Sequence, residues 1–201
     1  MTTAPRHTKQ AAPTPLMKGE KVLLRLPEES DREAFIALRK ASRDHLESWD
    51  PRPPPHFNAF GDDAFNLEMR RRKREDCERH LICRIEDGAI VGRLSLTAIE
   101  RGPVQSARFG YWIGAPYINR GYMTEALRLG LRYCFTKIGL HRVECNIVPT
   151  NEPSRRVAQR VGFRLEGYSP RYIQIDGVWR DHERYAVTLE DWRRDQQIDT
   201  R

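Results

Sequence analysis

Tyr111-Trp112-Ile113-Gly114-Ala115-Pro116-Tyr117-Ile118-Asn119-Arg120-Gly121-Tyr122-Met123-Thr124-Glu125-Ala126 runs from a strand into a short basic loop and directly on into a helix. Unpaired backbone N–H groups and the positive end of the helix dipole converge at such a junction, which suits a phosphate or pyrophosphate. Arg120 adds a charge that is fixed at any physiological pH. The loop is not a P-loop, because no Gly-Lys-Ser/Thr follows. It is not a dinucleotide fingerprint either, since one glycine stands where three are needed. On its own the segment reads equally as a tight strand-to-helix turn.

Downstream, a helix predicted from Gly121 to Ile138 places Ala126, Leu127, Leu131, Cys134, Phe135 and Ile138 on one face, and Gly139 stops it. Val143 to Val148 reads as a strand. Asn151-Glu152-Pro153-Ser154-Arg155-Arg156-Val157-Ala158-Gln159-Arg160-Val161-Gly162-Phe163 then opens another helix, with a favoured capping residue and a first-turn proline. Phe163 to Ile175 and Val178 to Thr188 form a hairpin around Asp176-Gly177, which pairs Gln174 with Trp179 and Tyr172 with Asp181.

Upstream, Val22 to Leu26 reads as a strand, and Ser30 as the cap of a helix beginning at Asp31. The prolines of residues 51–55 impose a stiff loop. A second helix is predicted from Asp62 to Cys77, followed by strands at His80–Glu86, Ile90–Ile99 and Ala107–Ile113. This order is α+β with a mixed sheet.

Four blocks carry a family resemblance. They are residues 43–51 (Arg-Asp-His-Leu-Glu-Ser-Trp-Asp-Pro), the basic loop, the Asn151 to Phe163 segment, and residues 172–182 (Tyr-Ile-Gln-Ile-Asp-Gly-Val-Trp-Arg-Asp-His). Together they resemble the GNAT N-acyltransferases, of the RimJ/RimL type that acetylates the N-termini of ribosomal proteins. The resemblance covers roughly residues 18–192. It implies the GNAT fold, with a central sheet of six to seven strands and about four helices. It also implies acetyl-CoA as co-substrate and direct attack of an amine on the thioester. The domain organisation is then a tail at residues 1–18, one acetyltransferase domain at residues 19–192 and a short tail at residues 193–201.

Site residues carry over position by position. The family's pyrophosphate motif falls on Ile118, Asn119, Arg120, Gly121, Tyr122 and Met123. Gly121 matches its central glycine, while Ile118 replaces a polar residue and Met123 a small one. Tyr111, Trp112 and Ile113 offer backbone groups to the pantetheine amides. Asn151 matches the residue that touches the pantetheine arm in relatives, and is equally a helix cap. The tyrosine acid that many relatives carry seven residues later is Ala158 here. Ser154 is the nearest substitute, as a hydrogen-bond donor to the thiolate. For the base, Glu144 and Asn146 share one face of a strand; Asn146 stands near the place of a glutamate base in some relatives, and Asp181 and His182 are alternatives. Trp49, Tyr172, Trp179 and Asp181 are candidates to line the acceptor groove.

Composition agrees with an enzyme of this kind. The chain has 201 residues, 39% hydrophobic and 31% charged, enough for one domain with a real core. No segment approaches the ~18 apolar residues of a membrane helix. Cys77, Cys83, Cys134 and Cys145 show no metal spacing and no CxxC, so no metal is expected and a reducing cytoplasm is. The net charge of +7 is concentrated at Arg70 to Arg74, a solvated face or a patch for rRNA or coenzyme phosphates. An α-amine acceptor, with a pKa near ~8, is neutral far more often at pH 7 than a lysine near ~10.4, so a weakly armed site suits a protein N-terminus. A polyamine or aminoglycoside acceptor, or a ribosome-associated binding protein with vestigial catalysis, are the other readings. The oligomeric state is open between monomer and homodimer.

Overall fold

The computed structural model describes residues 14–51 and 53–198. Eight strands among these residues form one mixed sheet in the order β1-β2-β3-β4-β5-β6-β8-β7. They are β1 (Met17–Lys18), β2 (Val22–Arg25), β3 (Glu78–Arg84), β4 (Ile90–Glu100), β5 (Ser106–Ile113), β6 (Arg142–Ile147), β7 (Arg164–Ile175) and β8 (Val178–Thr188). The helices are α1 (Arg32–Ala41), α2 (Arg43–Leu46), α3 (Asp62–Arg70), α4 (Tyr122–Thr136), α5 (Glu152–Arg160) and α6 (Leu189–Ile198). The α+β class and the mixed sheet match the expectation, but the counts differ. β1 is the added strand, and α2 and α6 are the added helices. Of the segments expected as tails, Met17–Lys18 form β1 and α6 continues to Ile198; residues 1–13 and 199–201 lie outside the described residues.

Period-two alternation gives the sheet two apolar faces. On one face Leu94, Leu96, Ala107, Phe109, Val143 and Cys145 pack against Ala126, Leu127, Leu131 and Cys134 of α4. On the other, Leu81, Cys83, Ile90 and Trp112 pack against Phe35 and Leu38 of α1 and Phe65 of α3. Helix α4 lies close to its face because Gly130 has no side chain: a Cβ there would sit 2.5 Å from Leu94 Cδ2.

Two helix boundaries differ from the reading of the sequence. α3 stops at Arg70, seven residues short of Cys77. Continuing it would stack Arg70, Arg71, Lys73 and Arg74 as like-charged neighbours three and four residues apart. Ser30 caps nothing. A 3₁₀ turn at Glu29–Asp31 precedes α1, and the Asp31 carboxylate instead takes Arg25 at 2.6 and 2.7 Å and the Glu28 N–H at 2.8 Å. In the β7–β8 hairpin, Gln174 does pair with Trp179. Tyr172 and Asp181 do not pair, because β7 bulges between Ser169 and Ile173 with Arg171 at φ 48°.

The feature that positions the site is a split in the sheet. Parallel β5 and β6, joined through α4, pair only from Ser106–Phe109 to Arg142–Cys145. Beyond that point Gly110–Ile113 pair with β4 alone, and Asn146–Ile147 with β8 alone. One edge of β5 is thereby left open toward β6.

Candidate active site

At the end of β5 the chain makes a 3₁₀ turn (Ala115–Tyr117) and reaches α4 through Asn119 at φ 58° and Gly121 at φ 80°. Both lie in the left-handed region that asparagine tolerates and glycine favours. The backbone N–H groups of residues 118–124 donate to no carbonyl among the described loop and cap bonds, so they remain free for an anion. The two departures from the motif leave this cradle intact. Met123 turns into the core below α4, and Ile118 faces outward, 41% exposed. Arg120 is exposed, and with Lys21, Arg84 and Tyr122 it lines a cavity of about 440 Å³ beside the loop. The Glu125 carboxylate accepts the N–H groups of Glu20 at 2.6 Å and Lys21 at 3.0 Å, which holds the β1–β2 turn and its lysine against the start of α4.

The open edge of β5 offers unpaired backbone groups from Gly110 to Ile113, the requirement for an extended amide chain to add as a strand. The residues at the split thus fit a pantetheine arm, with the loop at its phosphate end. The Trp112 side chain takes no part: it is buried against Phe35, ring centroids 5.7 Å apart. Tyr111 is different, because its hydroxyl lies 2.7 Å from Ser154 Oγ and so links β5 to α5 across the split. Burial pushes the Tyr111 phenol well above its ordinary value, so it stays protonated and keeps its hydrogen available to the Ser154 oxygen. Asn151 caps α5, its Oδ1 accepting the Ser154 N–H at 3.2 Å.

A cavity of about 1600 Å³ passes from this split to the α1–α3 side of the sheet. Of the four candidates for the acceptor groove, Trp49 and Tyr172 line this cavity. Trp179 and Asp181 do not. Trp179 lies on the outer part of the hairpin, 58% exposed. Asp181 is consumed by the β7 bulge, where it accepts the Arg171 N–H at 2.7 Å and the Tyr168 hydroxyl at 2.5 Å.

The base candidates also separate. Glu144 is not on the cavity wall. Arg142 Nε holds its carboxylate at 2.8 Å and Arg108 Nε at 3.5 Å, an ion-paired arrangement. Asn146 is on the wall, and its Oδ1 is buried without a hydrogen-bond partner. Having no titratable proton, it can orient an amine but not deprotonate one. His182 sits on the same face of the adjacent strand, buried, and also lines the cavity. Its Nδ1 lies 3.0 Å from the Arg180 carbonyl, which accepts the Nδ1–H and leaves Nε2 as the basic nitrogen. Burial holds His182 below the ordinary imidazole value, so it is neutral at pH 7. The four cysteines are buried free thiols, and burial pushes Cys145 at the split upward in pKa, away from nucleophilic use.

Three further residues of the cavity wall escaped the sequence reading. Glu68 of α3, Arg79 of β3 and Arg93 of β4 meet there. Arg79 Nε stands 3.9 Å and Arg93 Nε 3.6 Å from the Glu68 carboxylate. No spacing signal connects them, since only strand pairing brings the three segments together. No group of three metal-ligating side chains occurs among the described residues, and no described helix is long and apolar enough to cross a membrane.

Comparison with known proteins agrees with this geometry. The acetyltransferase (GNAT) domain family matches residues 21–164. A probable N-acetyltransferase of Bacillus subtilis, YjcK, is 33% identical over 178 residues, 88% of this chain and 98% of its own. The ribosomal protein uS5-alanine N-acetyltransferase of Escherichia coli is 36% identical over 107 residues, 53% of this chain and 55% of its own. Among solved structures, Mycobacterium smegmatis RimJ in complex with CoA-disulfide superimposes with a TM-score of 0.78 at 34% identity, covering 85% of this chain and 83% of that one. The split sheet, the free N–H cradle and these matches carry one conclusion: the chain belongs to the GNAT N-acetyltransferases, of the RimJ/RimL type.

Proposed function

We propose that this enzyme transfers acetyl from acetyl-CoA to the α-amine of a protein N-terminus, with a ribosomal protein as the acceptor class. The carrying observation is the placement, on one face of adjacent strands β6 and β8, of a buried unpartnered acceptor oxygen on Asn146 and of neutral His182. The relative named for ribosomal protein uS5-alanine acetylation supports the acceptor class.

Bound at the split, acetyl-CoA supplies an activated acyl group on sulfur. The cradle of residues 118–124 with Lys21 and Arg120 would hold its phosphates, and Gly110–Ile113 its pantetheine amides. Asn146 Oδ1 accepts an N–H of the incoming amine and aims the nitrogen lone pair at the carbonyl carbon. As the C–N bond forms and the C–S bond breaks, His182 Nε2 takes the proton that nitrogen gives up. On the far side, the Ser154 hydroxyl, backed by Tyr111, donates a hydrogen bond to the departing sulfur. Glu144 is left to its arginines.

A cationic small-molecule acceptor finds little support in the cavity. Among the described residues its wall carries seven arginines and four carboxylates. The exposed Lys73 and Arg74, with half-buried Arg72, continue this charge outward, which suits rRNA phosphates near a ribosomal substrate.

The test is thiol release from acetyl-CoA with Ala- or Ser-starting peptides, a polyamine and an aminoglycoside as acceptors, followed by mass-spectrometric location of the acetyl group. Turnover on peptides alone, with the acetyl on the α-nitrogen, is the expected result. Turnover confined to the small amines would overturn the proposal.

A further inference from the structure

The charges of the acceptor cavity do not cancel locally. Arg39 is paired with Asp50 at 2.9 Å, and Arg43 with Glu47 at 3.6 Å. Arg108 reaches Glu144. Deeper on the wall, Arg79 and Arg93 share the single carboxylate of Glu68, at distances beyond hydrogen bonding. Arg79 Nε, Arg93 Nε and Glu68 Oε2 are all buried without a hydrogen-bond partner. Arg79 itself is more than nine-tenths buried. A buried guanidinium Nε–H that donates no hydrogen bond is costly unless something arrives to accept one.

From this geometry we propose that Arg79 and Arg93 form a carboxylate subsite for the acceptor, so that the enzyme prefers an amine carried on a molecule with a nearby acidic group. The proposal rests on the α-amine reading above. Its position is suitable. Arg93 pairs with Trp112 across β4–β5, and Ser95, two residues further along, pairs with Gly110 where the sheet splits. Arg93 therefore starts about 7 Å along the strand from the split. An acidic side chain in the first few residues of a peptide can span that separation from its own terminal amine.

The chemistry matches as well. Two guanidinium groups present fork-shaped pairs of N–H donors, which fit a carboxylate better than any neutral group. Burial, with Arg93 adding repulsion, pushes Arg79 down to about 10. It remains cationic at pH 7, and its positive charge is under-neutralised until an anion binds. Arg71 lies close enough to add to that field, and it too lines the cavity. The carboxylate could be an acidic side chain of a peptide or the α-carboxylate of a free amino acid; the experiment separates them.

Binding and turnover should be measured together, with CoA-loaded protein for calorimetric binding and with acetyl-CoA for turnover. The probes are peptides beginning Ala-Glu, Ala-Gln and Ala-Lys, and free alanine. Ala-Glu should bind about tenfold or more tightly than Ala-Gln, and Ala-Lys most weakly. Arg93→Gln should shrink the Ala-Glu advantage to within about threefold, acting through KM rather than kcat. Because Arg79→Gln leaves Glu68 buried with less compensation, the Glu68→Gln variant provides the second reading. By freeing both arginines from their internal carboxylate it should widen the Ala-Glu preference. Equal binding of Ala-Glu and Ala-Gln, or a preference untouched by Arg93→Gln, overturns the subsite whatever the turnover. Arg93-dependent binding of Ala-Glu without acetyl transfer keeps the subsite and removes the α-amine reading. Arg93-dependent turnover of free alanine alone keeps the subsite and assigns it to an amino-acid carboxylate.

Discussion

The Tyr111 hydroxyl and Ser154 Oγ lie 2.7 Å apart, linking β5 to α5 across the split in the sheet. Tyr111 occupies a strand whose aromatic neighbour Trp112 is core, yet its phenol ends at Ser154 Oγ, the hydroxyl proposed to stabilise the departing thiolate. Because burial keeps that phenol protonated, it orients the serine rather than acting as an acid itself. Tyr111→Phe keeps the ring and removes the bridge. Its expected effect is a fall in kcat of about tenfold with KM for acetyl-CoA nearly unchanged. Ser154→Ala should cost at least as much, and the double variant little more than Ser154→Ala alone. Steady-state kinetics on the four proteins check this; additive losses would mean that the two hydroxyls act independently.

His182 sets the expected pH dependence. Two groups must be neutral for transfer: the acceptor amine, with an ordinary value near ~8, and His182, held by burial below the ordinary ~6.5. The rate kcat/KM should therefore rise with pH through the amine ionisation and steepen below the His182 value, where a second proton must be lost. His182→Gln should keep the upper limb, lose the lower one, and reduce kcat about a hundredfold at pH 7. A pH–rate profile of both proteins decides it. A lower limb that survives in His182→Gln would assign the base elsewhere.

Glu144 offers the contrasting case. Its carboxylate is tied to Arg142 and Arg108 and stands off the cavity wall. Half-exposed pairs of this kind contribute little. Glu144→Gln is expected to leave kcat/KM within about threefold of the parent and to shift stability by less than about 1 kcal/mol. A large loss in kcat alone would restore Glu144 as the base.

What could be read beforehand, and what could not, follows from the range of the interactions. The β5–α4 junction was legible because its chemistry is backbone N–H geometry, set by Asn119 and Gly121 within a few residues. The Asp176-Gly177 turn was legible for the same reason, and Gln174 meets Trp179 across it. The Tyr111–Ser154 contact was not legible, because alternation says which residues share a face but not where the sheet will part. Asp181 could not be placed because the bulge at Arg171 draws its carboxylate onto the Arg171 N–H, and Trp179, though its partner was legible, lies on the exposed outer part of the hairpin. The Glu68–Arg79–Arg93 group could not be read at all, since a helix and two strands contribute one member each.

A buried network away from the cavity governs the acid limit of stability. His80 Nε2 and the Tyr133 hydroxyl meet Glu78 Oε2 at 2.8 and 2.9 Å, between β3 and α4. Burial works against the Glu78 carboxylate, but these two bonds more than offset it and hold its pKa below the ordinary carboxylate value. A depressed folded-state value means that the stabilisation is present above the unfolded value, near ~4.3, and is lost as pH falls through the folded one. Glu78→Gln should cost about 1–3 kcal/mol at pH 7 and flatten the decline of Tm below pH 5. Thermal melts from pH 3 to 8 test it, and an unchanged acid limb would refute the assignment.

Gly121 carries the last prediction, because the cradle depends on its backbone rather than on any side chain. At φ 80° it turns the chain so that residues 122–124 enter α4 with their N–H groups free. A Cβ there meets no close neighbour; the nearest atom is Lys21 Nζ at 3.9 Å. Steric crowding is therefore not the obstacle; the left-handed conformation is, at about 1–2 kcal/mol for an L-residue. Gly121→Ala should lower Tm slightly and raise KM for acetyl-CoA about tenfold, through relaxation of the loop. Gly121→Asn, a residue that tolerates this conformation, should recover most of the affinity. If Asn and Ala variants bind acetyl-CoA equally poorly, the loss comes from the added side chain rather than from φ, and the cradle needs the space itself to be empty.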